Sequence, residues 1–170
     1  MRVWPGILGM ILAVGLSGCA GYRLGPSNGD SAGARTVQIT PFNNRTLEPA
    51  LGDALTTAMR KEIQREGTFQ LATREAGDLI VTGEILRYDR GEISFLPTDV
   101  VTAQDYKVSF TAHVVARSRI TGKVVLERDM TGNTLMRVGN DLPSAERQTL
   151  PLLAADLARQ ITAALADGSW

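Results

Sequence analysis

Polar and apolar positions alternate most clearly between Tyr106 and Arg117. Tyr106, Val108, Phe110, Ala112, Val114 and Ala116 fall on one side of an extended chain, and Lys107, Ser109, Thr111, His113 and Arg117 on the other. A period of two marks a strand with one face covered and the other polar. Residues 35–40 alternate as well, and Pro41, which has no N–H to give a ladder, ends that strand or sets it near an edge. Shorter runs at 68–73 and 78–86 predict two more strands, with Gly83 marking a bulge or a close approach. The Thr121-Gly122 step predicts a turn, and 124–128 a returning antiparallel strand. Between 87 and 105 the pattern fades, which predicts the exposed far end of a long hairpin.

Two segments carry the helical period instead. Ala50, Leu51, Ala54, Leu55, Ala58, Met59 and Ile63 make one apolar stripe, with Pro49 in its first turn, Thr46 as its cap and Gly67 as its stop. Arg60, Lys61, Gln64 and Arg65 fall mostly to the other side, and basic groups in the last turns suit the helix dipole, so they read as a solvated face. A second helix follows Ser144, with Leu153, Leu157, Ile161 and Leu165 four apart, Leu150 and Ala164 beside them, and Gly168 closing it. Strand, helix, strands, helix is the order of a two-layer α+β domain, here one domain over 35–168.

The N-terminus has its own logic. Arg2 precedes a short apolar run from Ile7 to Gly15, and Leu16-Ser17-Gly18 leads to Cys19, the single cysteine of the chain. A positive start, an apolar core and a small-residue exit predict a signal peptide over 1–18. The run falls short of the roughly 20 apolar residues a membrane-spanning helix needs. Leu-Ser-Gly-Cys resembles the bacterial lipobox, which implies a thioether-linked diacylglycerol on Cys19 and several acyl chains, enough for stable anchoring. Ala20 rather than Asp in the next position implies sorting to the outer membrane, with the head facing the periplasm. The rest of 19–34, rich in Gly and Ser, predicts a flexible tether.

Charge and chemistry add exclusions. The 18 basic and 18 acidic residues balance, so nothing draws nucleic acid to this chain. His113 is the lone histidine and has no cysteine or second histidine with which to bind a metal, so it reads as solvated or hydrogen-bonded. Asp78 and Glu84 share a strand face without forming a recognisable acid–base pair. Phosphate loops, dinucleotide fingerprints and serine elbows are missing. The sequence predicts no enzyme, no metal and no cofactor beyond the covalent lipid on Cys19.

Several segments carry a family resemblance. Cys19-Ala20-Gly21-Tyr22 resembles the start of the mature LptE family lipoproteins of lipopolysaccharide assembly. Residues 37–49, Val-Gln-Ile-Thr-Pro-Phe-Asn-Asn-Arg-Thr-Leu-Glu-Pro, resemble that family's strand followed by Pro-Phe-x-Asn-x-Thr ahead of its first helix. Ala76–Ile85 is similar to its Gly-containing strand, and 121–125 to its hairpin turn. The resemblance covers nearly the whole chain after Cys19. It implies two helices packed on one face of a four-stranded, mostly antiparallel sheet. It also implies a plug in the lumen of the outer-membrane β-barrel LptD that helps the barrel assemble and assists lipopolysaccharide insertion into the outer leaflet. Basic residues would meet lipopolysaccharide phosphates, and Arg117, Arg119 and Lys123, grouped at one hairpin end, are the candidates. Outer-membrane lipoproteins that activate peptidoglycan synthases or belong to secretion pores share the strand ending in Pro-Phe-x-Asn. They remain the alternative, although a longer tether would be expected of them.

Overall fold

The sheet is larger and more mixed than the sequence suggests. A computed structural model describes residues 35–96, 99–139 and 141–168. It contains β1 (Arg35–Ile39), β2 (Asn43–Asn44), α1 (Leu51–Glu66), β3 (Phe69–Leu71), β4 (Leu79–Leu96), β5 (Asp99–Ser118), β6 (Val124–Arg137) and α2 (Leu142–Ala166). The sheet has six strands in the order β3-β1-β4-β5-β6, and β2 also pairs with β4. This corrects the four-stranded, mostly antiparallel sheet expected above. β4, β5 and β6 form an antiparallel meander, whereas β1 pairs in parallel with both β3 and β4, and β2 in parallel with β4. A chain that passes from β1 through α1 to β3 comes back running the same way, which a helical crossover permits and a hairpin does not. No described helix is long and apolar enough to cross a membrane.

The predicted faces hold where the pattern was strong. Val108, Phe110, Ala112, Val114 and Ala116 are all fully buried beneath the helices. Leu51, Leu55, Met59 and Ile63 of α1 meet them from above, with Leu153, Leu157, Ile161 and Leu165 of α2. Burying one such side chain contributes about 1.5–3 kcal/mol, so this layer carries most of the fold's stability.

Helix ends depart from the sequence reading in two places. α1 begins after Ala50 with no side-chain cap, and Thr46 instead organises the turn before it. α2 starts earlier than Ser144: Asp141 caps it, accepting the Ser144 N–H at 2.6 Å. Gly67 does end α1, at φ 79°, where its N–H bonds the Ile63 carbonyl at 3.3 Å.

The region from 87 to 105 is the exposed far end of the β4–β5 hairpin, as expected, and it keeps its strand pairing out to Leu96 and Asp99 although the alternation fades. Ile85 pairs with Ala112 but Arg87 with Thr111, so Leu86 is an extra residue. That bulge exchanges the faces of β4: Val81 and Ile85 point to the core before it, and Tyr88, opposite Phe110, after it.

Candidate functional site

The Pro-Phe-x-Asn-x-Thr segment turns out to be scaffold. The Phe42 ring sits against Gly83, and its N–H donates to Thr56 Oγ1 at 3.1 Å. Thr56 in turn donates to the Gly52 carbonyl at 2.8 Å. Asn44 staples the following loop, its Nδ2 donating to the Glu48 carbonyl at 2.7 Å while its Oδ1 accepts the Thr46 N–H at 2.9 Å. Each polar side chain of the motif is thus spent on the path from β2 into α1, as expected of Asn and Thr in a turn.

Away from the helices, β4, β5 and β6 present an uncovered face that is polar and bonded to itself. Thr111 and Thr131 share a hydrogen bond of 2.8 Å, and Arg137 Nε reaches Asp105 Oδ1 at 2.7 Å. His113 Nδ1 lies 2.7 Å from Asp129 Oδ1, and its Nε2 lies 3.8 Å from Glu127. His113 is therefore a hydrogen-bonded member of this face. Among the described residues no group of three or more His, Cys, Asp or Glu side chains is arranged to hold a metal ion. Asp78 and Glu84 have separate partners: Asp78 accepts from the Thr36 N–H at 3.0 Å and from its hydroxyl at 2.9 Å, while Glu84 pairs with Arg45. The Thr36 bonds, and then the charges of Arg119 and Arg35, hold the Asp78 carboxyl below its ordinary range.

Arg117 and Arg119, two of the three predicted basic residues, have different hydrogen-bond partners. Arg117 donates to the Gly122 carbonyl at 2.8 Å and so braces the hairpin turn. Arg119 turns away, its N–H on the Asp78 carbonyl at 2.8 Å and its Nε on the Gly77 carbonyl at 3.1 Å. All three residues are exposed, next to Ile120, which is 75% exposed, but only the Arg119 guanidinium reaches back to the loop before β4. Cys19 and the segments expected as signal peptide and tether lie outside the described residues.

Sequence reasoning missed a cleft of about 610 Å³ between the β2–α1 loop, β4 and α2. It gathers Arg45, Arg87 and Arg90 around the exposed Leu47 and Leu86. Each guanidinium is already matched, to Glu84, Asp89 and Glu146 respectively. Tyr88 in its wall is pushed up to about 12, by burial first and then by the charge of Glu146, so its phenol stays protonated. The only sequence signal was the broken alternation after Leu86.

Similar folds occur in solved structures. A hypothetical protein of Chlamydia trachomatis superposes with a TM-score of 0.57 at 12% identity, covering 80% of this chain and 96% of that one. A protein of Xanthomonas campestris gives 0.57 at 11% identity, covering 85% and 92%. A minor lipoprotein of Acinetobacter baumannii gives 0.50 at 18% identity, covering 77% and 91%. Identities this low speak to the fold alone. No curated protein sequence gives a significant match. The family model described as lipopolysaccharide-assembly, LptE, matches residues 34–165, which takes in the Phe42–Gly83 packing, the open sheet face and both helices; the chain belongs to the LptE family.

Proposed function

We propose that this member of the family is an outer-membrane lipoprotein, acylated on Cys19, that lodges in the lumen of the LptD β-barrel. There it helps the barrel assemble and assists lipopolysaccharide insertion into the outer leaflet. The observation that carries this reading is the uncovered face of β4, β5 and β6. Its polar groups are ordered by their own hydrogen bonds, from Thr111–Thr131 to Asp105–Arg137. A wide barrel encloses an aqueous lumen, and a sheet face that is mostly polar can fill it, Leu135 being its large exposed apolar residue. The β4–β5 hairpin supplies a long arm for the same contact. Arg117 and Lys123, exposed beside Ile120, are the proposed contacts for lipopolysaccharide phosphates, with Arg119 a weaker third because its guanidinium is engaged by Gly77.

The test is purification from membranes in mild detergent, followed by identification of what accompanies the chain. Recovery of the barrel supports the reading. Recovery of a peptidoglycan synthase or a secretion pore without the barrel overturns it in favour of the alternative. Labelling with a fatty-acid analogue, lost on Cys19→Ser, tests the anchor.

A further inference from the structure

β6 ends the sheet path, so among the described residues one side of it has no neighbouring strand. In an antiparallel ladder alternate residues turn their N–H and C=O to opposite sides. Along β6 the odd-numbered residues from Glu127 to Arg137 turn theirs outward, and two bonds reveal it. The Asn133 N–H donates to Asp156 Oδ2 at 3.0 Å, and Gln160 Nε2 donates to the Thr131 carbonyl at 3.2 Å. Both side chains come from α2 and brace each other, Gln160 Nε2 lying 3.0 Å from Asp156 Oδ2, while Arg159 holds Asp156 Oδ1 at 3.0 Å. The helix comes this close because Gly132 has no side chain. A Cβ there would stand 2.8 Å from Leu157 Cβ and 3.0 Å from the Leu153 carbonyl.

An unpaired edge is a template for another strand, and β6 is complementary to itself. Two copies paired antiparallel about Gly132 set Thr131 of one against Asn133 of the other, Asp129 against Leu135, and Glu127 against Arg137. Opposite charges facing each other across a ladder attract, and Leu135, 71% exposed, would lose water in such a pair. The central bonds of that ladder belong to Thr131 and Asn133, the two groups already taken. We infer that Asp156 and Gln160 are an edge guard that denies β6 to a second copy of this chain. The inference rests on the strand edge alone and is independent of the proposed function.

The experiment compares the full chain and its Asp156→Ala/Gln160→Ala variant, both in detergent, by sedimentation and amide exchange. Both positions lie on the helix surface, where alanine favours the helix. At a concentration where the wild type is monomeric, the variant should sediment at twice the protein mass. The edge amides of Glu127, Asp129 and Leu135 should then exchange about tenfold more slowly. Adding Glu127→Lys, which sets Lys against Arg137, should return the variant to a monomer. Gln160→Ala alone, opening only the Thr131 carbonyl, should give a weaker dimer. A double variant that keeps the wild-type circular dichroism and stays monomeric overturns the inference. So does a wild type that already pairs through β6, a dimer indifferent to Glu127→Lys, or edge protection gained without a change in mass, which would point to a strand from the same chain.

Discussion

The ring of Phe42 occupies the space that a side chain on Gly83 would need. A Cβ built there stands 2.7 Å from the ring's Cδ1 and 2.8 Å from the His113 carbonyl of the neighbouring strand. The ring is buried and the carbonyl belongs to the β4–β5 ladder, so neither gives way cheaply. Gly83→Ala should therefore cost about 1–3 kcal/mol, the usual penalty for overpacking a filled core. A lower urea midpoint with an unchanged slope would register it; a variant as stable as the parent would contradict the packing.

That contact also marks how far the sequence could be read. Gly83 interrupts a run of apolar residues, and close approach was one of two readings the residue allows; nothing in the pattern named Phe42 as the neighbour. The face of β5 was legible because no residue is inserted between Tyr106 and Ala116. β4 was legible only as far as Leu86, where the bulge reverses which parity is buried. β6 read as stopping near Arg128 because Asp129, Gly132 and Asn133 are poor strand formers. Its inward residues Met130, Gly132 and Met136 are buried under α2, where tertiary contact outweighs propensity. The parallel pairing of β1 was hidden because strand direction depends on the crossover rather than on residue type. Of the basic group, sequence placed Arg117, Arg119 and Lys123 at one hairpin end, but only the fold shows Arg119 turning back to Gly77.

Thr162 supplies a second test. It is 1% exposed, and its hydroxyl has no hydrogen-bond partner among the described residues. A buried hydroxyl without a partner has lost water's bonds and gained none, so replacing it with a methyl of similar shape should not weaken the fold. Thr162→Val should match the parent or exceed it by up to about 1 kcal/mol. Thermal unfolding would decide, and a clear loss of stability would mean the hydroxyl has a role.

Acid should weaken the protein through three aspartates. Thr36 bonds hold Asp78 low, Arg137 and then Ser94 hold Asp105 low, and Ser144 holds Asp141 low. Each folded-state pKa lies below its unfolded value of about 3.9. In that range the unfolded chain binds more protons, so the stabilisation is complete above about pH 4 and is lost as pH falls through the folded values. Urea midpoints should be level near neutrality and drop below about pH 4. Asp78→Asn should start lower and fall less. Salt should reduce the Asp105 contribution, whose Arg137 partner is largely exposed, and spare that of Asp78, which rests on the Thr36 bonds.

Single substitutions should separate the three basic residues of the hairpin end. Arg119 joins the turn to the loop before β4 through Gly77, and its charge helps hold Asp78 ionised. Arg119→Ala should lower stability by about 1 kcal/mol, the net worth of such a bond. Arg117→Ala should cost less, since its bond to Gly122 lies on the surface, and Lys123→Ala should stay within about 0.5 kcal/mol. If Arg117 and Lys123 meet lipopolysaccharide phosphates, Arg117→Ala and Lys123→Ala should weaken binding to purified lipopolysaccharide while leaving the melting temperature and barrel recovery nearly unchanged. Arg119→Ala should do the reverse, lowering the melting temperature more than the affinity. Equal binding by all three variants would remove this turn from the lipid contact and direct attention to the cleft around Arg45, Arg87 and Arg90. There a phosphate has to displace Glu84, Asp89 or Glu146 from its arginine, so binding should be strongly salt-dependent and should tighten when one of those carboxylates is neutralised.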